Sequence, residues 1–195
     1  MPAPFFIWTS GESRVSCLIL IGMMGAGKTT VGRELARRRK VRFADCDQEI
    51  VARTGVSIPT IFEIEGEQGF RRRETQMIDE LSLEPDIVIA TGGGVVTTPT
   101  NRALMRGRGV VVYLNVPPQI LYERTRHDRN RPLLQVDDPR QRIEELYRQR
   151  DPLYREVAHL VIDGGRGNPG TMVRMIENAL QKLAQQTLKN TPCEP

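Results

Sequence analysis

Cysteine, histidine and aromatic residues are all scarce in this sequence, and each scarcity closes off a class of function. The cysteines are Cys17, Cys46 and Cys193, an odd and widely spaced set with no CxxC pair and no histidine at zinc-like spacing. That excludes a disulfide framework and a zinc site, and points to a reducing cytoplasm. His127 and His159 are the only histidines, too few for a histidine-rich metal centre. Aromatics make up 5% of the chain, few of them among basic residues, and no nucleic-acid motif is present, so nucleic acid is set aside as a partner. No apolar run approaches the ~20 residues that span a bilayer, so no membrane association is expected. Met1–Ser10 holds Phe5, Phe6, Ile7 and Trp8 but lacks a basic start and a long apolar stretch, which argues against a signal peptide.

Other features are ordinary or abundant. The 195 residues are 39% hydrophobic and 27% charged, as in a soluble globular protein of one domain. The net charge is +4, and 24 of the 28 basic residues are arginine. Arginine grips carboxylates and phosphates with a planar fork where lysine acts as a point charge, although base composition of the genome also explains an arginine excess. Residues 1–16 read as a loose, flexible extension, 17–185 as one domain, and 186–195 as a polar tail.

Short apolar runs alternate with amphipathic stretches. Cys17–Ile21 is continuously apolar, the mark of a strand covered on both faces, and Val41–Ala44, Ile87–Ala90, Val110–Leu114 and Leu160–Ile162 are further strand candidates. Helical periodicity marks Lys28–Arg39, Ser57–Glu65, Phe70–Leu81, Thr100–Met105, Pro118–Arg126, Pro139–Gln149 and Pro169–Gln185. This alternation predicts an α/β fold with a central parallel sheet between helical layers. The aperiodic stretch at about 127–138 reads as either a disordered segment or a functional loop, and in a kinase the functional reading is a lid.

Gly22-Met23-Met24-Gly25-Ala26-Gly27-Lys28-Thr29-Thr30 matches GxxxxGK[ST] between a predicted strand and a predicted helix. Glycines let backbone N–H groups approach phosphate oxygens, and the helix start adds its positive dipole end. Gly25, Ala26, Gly27, Lys28, Thr29 and Thr30 are therefore expected to bind ATP, with Lys28 on the outer phosphates and Thr29 on Mg²⁺. After the second strand, Asp45 and Asp47 are read in an extended segment, where residues two apart face one cleft. Solvated loop acids fit that pattern too. In Phe70-Arg71-Arg72-Arg73-Glu74, the glutamate falls on the apolar stripe of Phe70, Met77, Ile78 and Leu81, so it needs a partner. Arg71, three residues earlier, is that partner, which leaves Arg72 and Arg73 as surface charge. A plain structural ion pair fits as well. Gly92-Gly93-Gly94 at a strand's carboxyl end suggests either a close ligand approach or a tight turn.

Taken in order, Gly22–Thr30, Asp45–Asp47, Gly66–Glu74, Gly92–Gly94, Arg131–Leu134 and Arg150–Tyr154 resemble the motifs of the shikimate kinase family, a group of P-loop kinases related to the nucleoside monophosphate kinases. The resemblance runs from Cys17 to Leu183. It implies a five-stranded P-loop fold with a lid and substrate-binding helices, and phosphorylation of the shikimate 3-hydroxyl by ATP in chorismate biosynthesis. It further implies that Asp47 binds shikimate hydroxyls and serves as the base. Arg71 and Arg150 would grip the carboxylate, Glu74 would hold Arg71, and a glycine among Gly92, Gly93 and Gly94 would give its N–H. Arg131 would reach the transferring phosphate from the lid, Asp45 would meet Mg²⁺ through water, and Arg124 and Pro169 would flank adenine. Oligomeric state is open from the sequence, with a monomer as the default expectation. Val51 departs from the family, which often has glutamate there. Rival readings are another small-molecule kinase of this fold, such as a gluconate kinase, and a non-catalytic ATP-binding regulator.

Overall fold

The computed structural model describes residues 6–9, 12–126, 136–165 and 167–190. Strand β1 (Phe6–Thr9) and strand β2 (Glu12–Val15) pair antiparallel as a hairpin, within the segment expected to be a loose extension. The main sheet comprises β3 (Cys17–Ile21), β4 (Arg42–Asp45), β5 (Ile87–Ala90), β6 (Val110–Asn115) and β7 (Leu160–Asp163). All its pairings are parallel, in the order β4-β5-β3-β6-β7.

Burial follows that order. The inner strands β3, β5 and β6 are buried almost throughout, whereas edge strands β4 and β7 have exposed positions. Strands covered on both faces have no polar side to show, which is why these inner runs read as unbroken Val, Ile and Leu. One helical group is α1 (Lys28–Arg39) with α7 (Pro169–Asn190), which pack on each other. Val173, Ile176, Leu180 and Ala184 form the buried stripe of α7. The other group contains α3 (Ile58–Leu81), α4 (Pro99–Arg108) and α6 (Pro139–Val157), with α5 (Pro118–Thr125) against α6. A short helix α2 (Cys46–Thr54) packs on α3. No helix among the described residues is long and apolar enough to cross a membrane.

Three differences from the sequence expectation have physical reasons. Asp45–Asp47 is not extended: Asp45 ends β4 and caps α2, accepting from the Asp47 and Gln48 amides at 3.1 and 3.3 Å. The α3 segment is continuous except at Gly66 (φ 68°, ψ −179°), a left-handed break that only glycine adopts cheaply and that separates the two expected helices. Helix α6 continues through Pro152 to Val157, beyond the expected end at Gln149. Burial of Tyr154 and Val157 outweighs the backbone bond that proline removes.

Candidate active site

The loop from β3 to α1 enters the helix through Gly27 at φ 92°, with no side chain capping the first turn. A helix start without a side-chain cap presents its amides outward, the arrangement that suits an anion. Lys28 is nearly buried and folds back over the loop, donating to the carbonyls of Gly22 and Met23 at 2.8 and 3.0 Å. The Thr29 hydroxyl donates to Asp45 Oδ2 at 2.7 Å. Asp45 thus fixes two things at once: one oxygen caps α2, and the other faces the P-loop hydroxyl.

A cleft of about 540 Å³ opens here, lined by Gly25, Ala26, Gly27, Lys28, Thr29 and Thr30, and also by Asp45, Asp47 and Gly93. Arg124 spans its far wall, donating to Gly25 O at 3.1 Å and to Gly165 O at 2.7 Å. Pro169 lines it too, so the expected nucleotide residues among the described ones share one cleft. Thr91, Asn168 and Met172 also line it. The sequence reading missed these, because nothing about an isolated Thr, Asn or Met marks it before the strand order is known.

The second half of the site is organised by the glycine triplet. A methyl group on Gly92 would sit 2.7 Å from Glu74 Oε1 and 3.0 Å from Asp47 Oδ1. One on Gly94 would collide with the Arg71 guanidinium, and one on Gly93 would press on the Met24 amide at 3.2 Å. Arg150 donates to Gly93 O at 3.3 Å. Asp47, Arg71, Glu74 and Arg150 therefore converge on one bare turn. Absence of side chains is what lets four charged groups crowd it. Arg131 lies outside the described residues.

Glu74 is fully buried, and its Oε2 accepts from Arg71 Nη1 at 2.8 Å, as its place on the apolar stripe predicted. Arg71 also reaches Glu67 at 3.0 Å, while Arg72 is exposed and Arg73 pairs with Glu65 at 2.6 Å. Burial pushes the Glu74 carboxyl up to about 7, against the pull of the Arg71 charge and hydrogen bond. Burial also acts against the Arg71 cation, but the two glutamates more than offset it and hold its pKa above the ordinary arginine value. Arg150 goes the other way. It is 5% exposed, and burial together with the like charge of Arg71 lowers its pKa. Among the described residues no carboxylate forms an ion pair with Arg150.

Among proteins of known identity, the family model for shikimate kinase matches residues 24–188. The chain is 67% identical over 173 residues to a shikimate kinase of Aromatoleum aromaticum, covering 89% of this chain and 99% of that protein. A solved structure of shikimate kinase from Acinetobacter baumannii in complex with shikimate superposes with a TM-score of 0.84 at 47% identity, over 86% of this chain and 93% of that one. A gluconokinase from Sinorhizobium meliloti superposes with a TM-score of 0.55 at 14% identity, covering 91% of this chain and 98% of that one, a likeness of fold alone.

Proposed function

This chain belongs to the shikimate kinase family, and we propose that its cleft passes the γ-phosphoryl group of ATP to the 3-hydroxyl of shikimate across the glycine triplet. The enzyme phosphorylates shikimate with ATP, giving shikimate 3-phosphate and ADP. The observation that carries the residue assignment is Arg150. A buried guanidinium without a carboxylate partner is costly, and an anionic substrate arriving beside it removes that cost. Arg71, on the other side of the same turn, supplies the second prong. Shikimate brings one carboxylate and several hydroxyls, the complement of two arginines and an aspartate.

Asp47 holds the acceptor hydroxyl and takes its proton as transfer proceeds. Glu74 touches no reacting atom; it fixes the fork of Arg71. On the donor side the α1 amides and Lys28 bind the phosphates, exchanging the carbonyl contacts that Lys28 makes within the loop. Arg124 and Pro169 border the nucleotide at the far wall. Phosphoryl transfer runs through a loose transition state, so the protein contributes position and positive charge more than strong base chemistry. Arg131 is assigned to the transferring phosphate by its place in the RPLL motif.

Mg²⁺ fits the donor set, since the Thr29 hydroxyl and Asp45 carboxylate already face each other at 2.7 Å. Hard oxygen ligands suit it, and it keeps several waters, so no three-residue protein cage is needed; none exists among the described residues. Thr29 would hold the ion directly and Asp45 through water; when bound, the ion neutralises charge on the phosphates. A monomer is the proposed state. The cytoplasm is the proposed setting, in keeping with the free buried thiols of Cys17 and Cys46.

Arg71→Ala and Arg150→Ala test this directly. Losing one arm of a desolvated charge grip costs about 2–5 kcal/mol, a rise in the shikimate KM of roughly thirtyfold or more. The ATP KM should stay near wild type. A shikimate KM within about twofold of wild type in both variants defeats the assignment.

A further inference from the structure

We propose that Tyr154 is a positioning residue for the acceptor site, acting through the carbonyl of Gly93; this rests on the substrate reading above. Tyr154 is fully buried, and its hydroxyl donates to Gly93 O. Arg150, one helical turn earlier on α6, donates to the same oxygen at 3.3 Å. Both lone pairs of that carbonyl are thereby used, and the Gly93–Gly94 peptide has one orientation.

That orientation matters because the peptide is planar and trans, so its N–H points away from its C=O. With the carbonyl held toward α6, the rotation of this peptide also sets the position of Gly94, beside which the Arg71 guanidinium fills the space that a Cβ would take. The two arginines that grip the substrate carboxylate therefore take their spacing from one peptide unit. Tyr154 is itself held in place: its ring stacks on Tyr113 with centroids 4.8 Å apart, and Tyr113 donates to Asp151 Oδ1 at 2.9 Å. Without the tyrosine hydroxyl, Arg150 is the sole side-chain donor to Gly93 O. It then turns toward the carbonyl and away from the substrate.

The test is steady-state kinetics on the full-length enzyme carrying Tyr154→Phe, which keeps the ring and the stack and removes one oxygen. Tyr147→Phe is the control, since Tyr147 on the same helix donates instead to Asn115 Oδ1 at 2.8 Å. Loss of one buried hydrogen bond that orients a charged grip predicts about a tenfold rise in the shikimate KM. The ATP KM should stay within about twofold, and the melting temperature should fall no further than in Tyr147→Phe. The proposal is overturned by a parallel rise in both Michaelis constants, by a Tyr154→Phe protein that does not fold, or by an unmoved shikimate KM. Arg71→Ala measured alongside separates the two levels. If it raises the shikimate KM while Tyr154→Phe does not, only the role of Tyr154 is lost; if neither does, the substrate reading falls with it.

Discussion

Replacing Glu74 with glutamine should change how stability depends on pH, with a sign and size that follow from burial. In the folded protein this carboxyl sits at about 7, against an ordinary value of 4.5, because desolvation outweighs the Arg71 contact. Between those two values the native state binds more protons than the unfolded chain, so stability falls as pH rises through the window. The full effect is about 3 kcal/mol, of which about 2–2.5 kcal/mol falls between about pH 5 and about pH 7.5. The stabilisation is complete below the unfolded value and is gone once pH passes the folded one. His159 contributes the opposite sign, since burial lowers its pKa, but it does so equally in both proteins. Urea unfolding of wild type and Glu74→Gln at the two pH values isolates the glutamate as a difference of differences. Wild type should lose ~2 kcal/mol more than the variant on going to the higher pH. Parallel losses, within ~0.5 kcal/mol, would mean that Arg71 keeps Glu74 ionised throughout and that the desolvation argument is wrong.

Lys28→Ala and Arg131→Ala should each cost about 10²–10³ in kcat, as for other single donors to a transition state, read by coupled ADP release at saturating shikimate. An unchanged kcat in Arg131→Ala would remove that residue from the proposed chemistry. Gly94→Ala should raise the shikimate KM much as Arg71→Ala does, because its methyl group takes the space of the guanidinium; a wild-type KM would show that Arg71 relocates freely. Asp45→Ala should weaken both Mg²⁺ binding and the cap of α2, the latter by ~1 kcal/mol in thermal unfolding. If only the melting point moves, Asp45 is a cap and nothing more.

The sheet was legible in the sequence because its inner strands are buried on both faces and read as unbroken apolar runs. The P-loop was legible because its spacing is dictated by phosphate geometry. Glu74 was legible for a subtler reason, a charge lying on a buried stripe. The same rule applies to Arg150, which falls on the stripe Ile143, Leu146, Arg150, Tyr154 and Val157. It went unread from residues alone because Pro152 ended the expected helix at Gln149 and cut the stripe short. Resemblance to a family supplied Arg150 instead. For Asp45 the missed signal was local: an acidic residue followed three positions later by glutamine, just ahead of Ile50, is a helix N-terminus signature. The hairpin of β1 and β2 was missed although Ser10-Gly11 is a turn signal in sequence, since β2, Glu12-Ser13-Arg14-Val15, holds a single apolar residue and shows no strand pattern.

Neither motif order nor helix periodicity explains why donor and acceptor meet; strand order and register do. β3 lies between β5 and β6, so the P-loop that follows β3 emerges beside the glycine triplet that follows β5. The register is level as well. Leu20 pairs with Ala90, and Asp45 pairs with Ala90 from the other side. Three chain segments thus leave the sheet at one height, carrying phosphate amides, a bare turn and two aspartates. Open α/β sheets place ligands beyond the carboxyl ends of their strands, and here that edge is built by adjacent strands that end within one residue of each other. The long helices α3 and α6 then need only deliver one arginine each to the turn. Their burial holds those arginines in place in the folded chain, so under the proposed assignment the positional cost of transfer is met in folding rather than at each turnover.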